Sequence, residues 1–178
     1  MPAEPTLSED LLGRFSTHVG ENLLTVLNSK PHLVIFLRHS GCTFCREAVA
    51  EAAQSRTELE AQGIGLVFVH PSSETLMRPV FERYGVTSAP RVSDPDLVLF
   101  QAFGLRKGKA SQLFGPTVVV RGIQAALLGG HRIGRPNGKV LQMPGVFLMD
   151  GLRIVRAYRH RMVSDRPDYC ELAKPPAA

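Results

Sequence analysis

The sequence predicts an α/β protein in which a central mixed sheet is flanked by helices. The continuous apolar run Leu33 to Leu37 has the length of a strand that is buried on both faces. Ile64 to Val69 is a second such run, and the segment between the two has the apolar spacing of a helix. Near the C-terminus, Val146 to Met149 and Ile154-Val155 flank Asp150-Gly151, a pattern typical of an antiparallel β-hairpin.

The elements follow one another along the chain. Leu7 to Val19 is predicted to be a helix capped by Ser8, because its apolar positions have helical spacing. The run from Leu33 is predicted to be a central strand, and a helix is predicted from Thr43 until Gly63 ends it. The remaining predicted elements are a helix from Ser72 or Ser73 to Tyr84-Gly85, a short strand at Pro90 to Ser93, helices near Asp96 to Phe103 and across Pro116 to Leu128, a polar loop at His131 to Gln142, and a short helix or cap from Asp165.

Strands that begin parallel and end in an antiparallel hairpin form the outline of a thioredoxin-like fold. With 178 residues, of which 44% are hydrophobic, the chain suits one domain with a sizeable core. We therefore predict a single thioredoxin-like domain over residues 1–178. It has an N-terminal helical extension over about residues 1–20, a helix and loop inserted before the terminal hairpin, and a flexible tail at about residues 174–178.

Composition and charge narrow the classes of partner. The net charge is +5, but most basic residues are interleaved with acids. The basic stretch Arg121 to Lys139 lacks the aromatic residues of a nucleic-acid platform, so a solvated loop is the preferred interpretation and no nucleic-acid partner is expected. No apolar run approaches the roughly 18 residues that span a bilayer, and the N-terminus lacks a secretion signal. We expect a cytoplasmic protein without a membrane partner.

Gly41-Cys42-Thr43-Phe44-Cys45 carries the strongest functional signal. This C-x-x-C pair follows a predicted strand and opens a predicted helix. Unpaired backbone N–H groups and the positive end of the helix dipole stabilise a thiolate there, and the thiolate is the reactive form of cysteine. We expect Cys42 to be the more exposed sulfur and the nucleophile, and Cys45, about one turn further, to close a disulfide with it.

Charged neighbours and a proline complete the candidate site. Arg38, His39 and Arg46 would add positive charge near the thiols, although Arg38 and Arg46 suit surface ion pairs with Glu47 or Glu51 equally well. His39 is predicted to be a solvated loop histidine. Pro144 lies just before the strand at Val146, where thioredoxin-like folds carry a cis-proline, and we predict a cis bond there.

Zinc binding is an alternative use of the two cysteines. The chain has no second C-x-x-C, so a zinc site would need Cys170 and a scattered histidine such as His131 or His160. That requirement makes a redox function the preferred interpretation, with no metal and no cofactor. With three cysteines in all, Cys170 is left over and is predicted to be a lone, semi-exposed thiol, with a distal resolving role as the alternative.

Three separated motifs resemble the peroxiredoxin-like proteins of the alkyl hydroperoxide reductase/thiol-specific antioxidant group of the thioredoxin superfamily. The resemblance spans roughly residues 15–172. It implies a redox pair at Cys42 and Cys45, the family's loop proline at Pro144, a peroxide or protein disulfide as substrate, and an external reductant such as the thioredoxin or glutathione system. Thr43, between the two cysteines, is a further supporting candidate. Dimers are common among such proteins, so a homodimer is an expectation. The motifs are Phe36-Leu37-Arg38-His39-Ser40-Gly41-Cys42-Thr43-Phe44-Cys45-Arg46-Glu47, Ser93-Asp94-Pro95-Asp96 with Phe100 and Ala102-Phe103-Gly104-Leu105, and Gln142-Met143-Pro144-Gly145-Val146-Phe147.

One departure from the group affects the expected activity. A typical peroxiredoxin has a P-x-x-x-T-x-x-C motif whose threonine and proline shape the peroxide pocket, whereas Arg38-His39-Ser40-Gly41 precedes Cys42 here. We therefore rank dithiol/disulfide exchange ahead of peroxide reduction. A non-enzymatic redox switch acting on the basic loop, and a zinc-binding structural protein, are the competing hypotheses.

Overall fold

A mixed five-stranded sheet with strand order β3-β2-β1-β4-β5 forms the centre of the computed structural model, which describes residues 7–108, 115, 118, 120 and 141–174. β1 pairs in parallel with β2 and antiparallel with β4. β2 and β3 are parallel, and β4 and β5 are antiparallel. The predicted mixed sheet is confirmed. Its strands are β1 (His32–Phe36), β2 (Gly65–His70), β3 (Arg91–Ser93), β4 (Gly145–Asp150) and β5 (Arg153–Arg159).

Helices cover both faces of this sheet. The one that begins at the candidate site is the longest of those described, with 19 residues. Gly63 follows it with a φ of +76°, the left-handed conformation that glycine adopts without strain and that commonly ends helices. The helices of the described residues are α1 (Glu9–Gly13), α2 (Leu23–Ser29), α3 (Thr43–Ala61), α4 (Glu74–Arg83), α5 (Val98–Ala102) and α6 (Tyr169–Ala173).

Two hydrophobic clusters lie on opposite faces of the sheet because successive side chains of a strand point to opposite sides. Leu33 and Ile35 of β1 belong to the cluster that includes residues of α3, α4 and α6. Val34 and Phe36 belong to the other, which includes residues of α1, α2 and α5. All five residues of β1 are therefore buried, which explains the continuous apolar run.

The N-terminal helix is shorter than predicted. Ser8 does cap α1, since its side chain accepts a hydrogen bond from the Leu11 N–H at 3.2 Å. However, α1 ends at Gly13, and Ser16 and Asn22 form an antiparallel bridge around a turn. Asn22 then caps α2, a second helix that was not predicted. The apolar residues keep helical spacing across this turn, so the predicted helix ran through it. Gly20, with a φ of +85°, is the local sequence signal of the turn.

The terminal hairpin is confirmed as an element, but its turn lies one residue later than predicted. Asp150 pairs with Arg153, so Gly151 and Leu152 form the two-residue turn. Gly151 has a φ of +58°, and a two-residue hairpin turn places glycine at a position of positive φ. A bulge between Leu148 and Met149 shifts the register along the hairpin.

Two predictions lie mostly outside the described residues. They are the helix across Pro116 to Leu128 and the loop at His131 to Gln142, and the basic stretch Arg121 to Lys139 lies wholly outside. Among the residues that are described, none of the helices combines the length and the apolar character needed to cross a membrane.

Candidate active site

Cys42 occupies the N-cap of α3. Its backbone is extended, with φ of −77° and ψ of 119°, and its Sγ accepts a hydrogen bond from the Cys45 N–H at 3.4 Å. The side chain thus fills the position where a helix start commonly has serine or aspartate. Because the first N–H groups of a helix have no partner within the helix, they favour a negatively charged sulfur at this point.

Arg38, two residues after β1, contacts both sulfurs. Its backbone N–H donates to Cys45 Sγ at 3.1 Å, and its Nη1 donates to Cys42 Sγ at 3.7 Å. Its Nε donates to the Gln142 carbonyl at 3.0 Å, which fixes the guanidinium from the side of β4. Arg38 is only 5% exposed, so little water screens its charge from the thiols. Gln142 belongs to the third sequence motif, but no role was predicted for it.

The two thiols have opposite acidities. The Cys45 thiol donates to the Cys42 sulfur, and this bond, Arg38 and the N–H groups of Cys45 and Phe44 lower the pKa of Cys42 from 9.0 to about 6, although burial opposes them. Burial raises the pKa of Cys45 well above its ordinary value, and the bond to Cys42 adds to the rise. At neutral pH the site therefore holds a Cys42 thiolate beside a protonated Cys45.

Two residues are more buried than predicted. Cys42 is 6% exposed and Cys45 is 5% exposed, so both cysteines are buried and the expected difference in exposure between them is almost absent. His39 is buried as well, not solvated, because the chain turns tightly between β1 and α3 and the Cys42 N–H donates to the His39 carbonyl at 3.2 Å. Burial, Arg38 and Arg46 lower the pKa of His39 to about 4, so its imidazole is neutral at pH 7.

A cation that the sequence analysis did not single out pairs with the acids of α3. Arg166 Nη1 lies 2.6 Å from Glu47 Oε1, and Arg166 also pairs with Glu51. These carboxylates had been considered as partners for Arg38 or Arg46. Arg46 donates from Nε to the Ser40 carbonyl at 3.1 Å, which ties the chain before Cys42 to α3. Arg166 lies 119 positions after Glu47, and no local pattern in the sequence connects the two.

Thr43 and Pro144 are the other predicted supporting residues. Thr43, which lies between the two cysteines in the sequence, is the first residue of α3 and is buried. Pro144 lines a small cavity of about 20 Å³ together with Cys45 and Phe44. Among the described residues no peptide bond is cis, so the prediction of a cis bond at Pro144 is wrong. The trans form is the intrinsically favoured one by about 0.5–1 kcal/mol.

Cys170 does not join the pair. It lies half-buried on α6, and its thiol hydrogen-bonds to Ser55 and Glu58 of α3. Ser55 is ten residues beyond Cys45, which corresponds to about 15 Å along a helix axis. Within the described part of the chain, no three side chains of the His, Cys, Asp and Glu types come together as a metal site would require.

Comparison with known proteins gives a family match. A sequence model of the AhpC/TSA antioxidant enzyme family matches residues 52–164, which is more than half of the chain. The matched stretch begins after Cys45, so the roles of the two cysteines depend on the geometry described above. Comparison with curated proteins finds no match.

Solved structures share the fold. Peroxiredoxin Q from Xanthomonas campestris is 18% identical with a TM-score of 0.62, covering 92% of this chain and 90% of that chain. Reduced Prx3 from Vibrio vulnificus, in complex with hydrogen peroxide, is 13% identical with a TM-score of 0.61, covering 90% and 88%. Peroxidoxin BcpB from Mycobacterium tuberculosis is 13% identical with a TM-score of 0.59, covering 85% and 82%. The predicted thioredoxin-like fold is confirmed.

Proposed function

We propose, since the chain belongs to the AhpC/TSA antioxidant enzyme family, that Cys42 and Cys45 are the redox pair of a thiol-dependent peroxidase acting on small hydroperoxides. One observation carries the proposal: the Cys42 sulfur caps α3, 3.7 Å from the Arg38 guanidinium and beside the thiol that would resolve it. These contacts lower the pKa of Cys42 to about 6 and so favour the thiolate. The family predicted from the sequence motifs is confirmed, and with it a thiol-dependent antioxidant enzyme.

Burial favours a small substrate. Cys42 is 6% exposed, so a hydroperoxide group reaches its sulfur with less rearrangement than a disulfide held in a folded protein. This reverses the order in which the two activities were ranked from the sequence. Dithiol/disulfide exchange is the second candidate function, because the same pair of sulfurs supports it once the site opens.

In the first step the Cys42 thiolate attacks the terminal oxygen of the hydroperoxide. The O–O bond breaks, the sulfur becomes a sulfenic acid, and the leaving alkoxide takes a proton to become an alcohol. The Arg38 guanidinium holds the attacking thiolate and is placed to stabilise the negative charge that develops on the leaving oxygen. Arg38 thus supplies the stabilisation of charge that a polar residue of a peroxide pocket would otherwise supply.

In the second step Cys45 attacks the oxidised Cys42 sulfur. An S–S bond forms, the S–O bond breaks, and hydroxide leaves and is protonated to water. An external dithiol or thiol then reduces the disulfide. Arg46, Thr43 and Pro144 support the pair by fixing the chain around it. We further propose the thioredoxin or glutathione system as electron donor, a homodimer and a cytoplasmic location.

Turnover with a panel of hydroperoxides and disulfides tests the proposal, with thioredoxin and glutathione reducing systems supplied in turn. Cys42→Ser is expected to abolish turnover, and wild-type protein oxidised by one equivalent of peroxide is expected to show Cys42 sulfenic acid by trapping and mass spectrometry. Cys170→Ser is the matched control and is expected to retain full activity, because its thiol lies far along α3.

Three other outcomes would contradict the proposal, and two of them would identify a different function. A mixed disulfide on Cys42 without any sulfenic acid would identify the protein as a disulfide exchanger. Full activity in Cys42→Ser would refute the assignment of the nucleophile. Reversible oxidation of the pair without multiple turnover under either reductant would favour the non-enzymatic switch.

A further inference from the structure

Cys45 needs a new proton acceptor once Cys42 has reacted. In the reduced protein the Cys45 thiol donates its hydrogen bond to the Cys42 sulfur. When Cys42 becomes a sulfenic acid or a mixed disulfide, that sulfur loses its negative charge and is no longer a strong acceptor. Burial also keeps Cys45 protonated, so the proton has to leave as the thiol attacks.

The cavity beside Cys45 has the size of a single water molecule. Its volume is about 20 Å³, and a water needs roughly 10–15 Å³ of such space. His160, one residue after β5, contributes to its lining together with Cys45 and Pro144. The backbone N–H of His160 donates to the Pro144 carbonyl at 3.4 Å, so this residue is held at the proline that borders the thiols.

Both ring nitrogens of His160 are buried, and neither has a hydrogen-bond partner among the residues that the structure describes. Buried polar nitrogens are almost always paired, and an exception calls for an explanation such as a bound water or a role in proton transfer. Tyr158 packs edge-on against the ring at 5.3 Å between centroids. Burial lowers the pKa of His160 to about 4, so the ring is neutral at pH 7 and keeps one lone pair.

The other titratable groups around the cavity are already engaged. Glu47 and Glu51 both pair with Arg166. The Asp165 carboxylate accepts the N–H groups of Arg161 and Met162 at 2.7 and 3.0 Å, while its charge partly offsets the effect of burial on His160.

The remaining polar groups of the lining act as donors. Tyr169 donates its hydroxyl to the Ala48 carbonyl, and burial raises its pKa, so it stays protonated. Arg38 is a cation that donates to both sulfurs and to Gln142. Of the described groups that line the cavity, His160 is therefore the neutral base whose two ring nitrogens both lack a partner.

We propose that His160 accepts, through a water in this cavity, the proton that Cys45 loses when it closes the disulfide. The inference rests on the proposed function only in making Cys42 and Cys45 the redox pair. The thiol of Cys45 attacks the oxidised Cys42 sulfur, an S–S bond forms, and the group on Cys42 leaves with the bonding electrons. That group is hydroxide from a sulfenic acid or a thiolate from a mixed disulfide. The proton passes to His160 and then to the leaving group, so charge and atoms balance.

Disulfide closure can be measured separately from peroxide chemistry. A methanethiosulfonate reagent converts Cys42 into a mixed disulfide with methanethiol, and closure by Cys45 expels the methanethiol. Acid quenching and intact-mass spectrometry follow the gain and the loss of the methylthio group on Cys42, in protein that carries Cys170→Ser. His160→Gln is expected to leave the first step unchanged and to slow closure about tenfold at pH 7. This is less than the roughly 100-fold of a base whose pKa matches the working pH, because the pKa of His160 is about 4. Closure in the variant should then accelerate with pH, whereas wild-type closure should vary less.

His39→Gln is the matched control. His39 is also a buried neutral imidazole whose Nδ1 has no partner in the described part of the chain, but it does not line the cavity beside Cys45. Closure in this control should proceed at the wild-type rate. Equal closure rates in His160→Gln and wild type at every pH, or equal slowing in both histidine variants, would overturn the proposal. His160→Asn provides a second test if the glutamine variant does not fold. Absence of a sulfenic acid with peroxides would refute the peroxidase function without affecting this result.

Discussion

Replacing Arg38 separates the contribution of its charge from that of the helix start. The pKa of Cys42 lies about three units below 9.0 because of the Cys45 thiol, Arg38 and two backbone N–H groups, against the opposing effect of burial. The Arg38 effect is smaller than that of the Cys45 bond, and a close opposite charge is typically worth one to three units. We therefore expect Arg38→Met to raise the pKa of Cys42 by about one unit.

The pH dependence of alkylation is the appropriate assay. At pH 7 the thiolate fraction would fall from about nine-tenths to about one half as the pKa rises from about 6 to about 7. A more basic thiolate is also about threefold more nucleophilic per pKa unit, which offsets this fall. The rate at pH 7 should thus change little, whereas the midpoint of the iodoacetamide rate against pH should shift by about one unit. Cys170→Ser protein removes the background thiol.

Arg46→Met is the control for this measurement. It removes an equal charge, but Arg46 bonds to the Ser40 carbonyl and is not a cause of the Cys42 shift. Its midpoint should match that of the wild type, and Arg38→Lys should recover part of the loss. An unchanged midpoint in Arg38→Met, or an equal shift in Arg46→Met, would refute the reasoning from the 3.7 Å contact.

Two further predictions concern stability. Gly145→Ala is expected to destabilise the fold by about 1–3 kcal/mol, because a Cβ there would lie 2.7 Å from Leu105 Cδ2; urea unfolding would measure this, with Gly13→Ala, where no atom lies within 4 Å, as a control that should be nearly neutral. The reduced protein should gain stability relative to the oxidised protein as the pH rises from 6 to 9. The folded-state pKa of Cys42 is depressed, so its contribution, at most about 4 kcal/mol, is lost as the pH falls through about 6; equal pH slopes for both redox forms in denaturant unfolding would contradict this.

Local patterns predicted most elements of this fold. The apolar runs at Leu33 and Ile64 gave two adjacent parallel strands, and the cysteine pair was placed at the start of α3. Such features depend on residues close together in the chain, where periodicity and capping chemistry are informative. The errors at α1 and at the hairpin turn are errors of boundary, at positions where one glycine decides the direction of the chain.

The features that were missed depend on contacts between distant segments. The burial of Cys42 and His39 follows from how the chain packs around the edge of the sheet, and sequence position alone suggested exposure. The partner of Glu47 lies on the segment after β5, as does His160. His160 was considered only as a zinc ligand. No motif surrounds this histidine, so the sequence near it does not indicate that it lies beside Cys45.

The hydrogen bonds and charge around Cys42 also bear on the reduction potential of the pair. They stabilise the thiolate, which exists only in the reduced form. At pH 7 a fall in thiol pKa from 9.0 to about 6 stabilises that form by about 1.4 kcal/mol, equivalent to about 30 mV for a two-electron couple. The oxidised form gains nothing comparable, since a disulfide sulfur is a poorer cap for α3 than a thiolate. The arrangement that makes Cys42 reactive therefore also makes its disulfide easier to reduce, so the same few contacts favour both halves of a catalytic cycle.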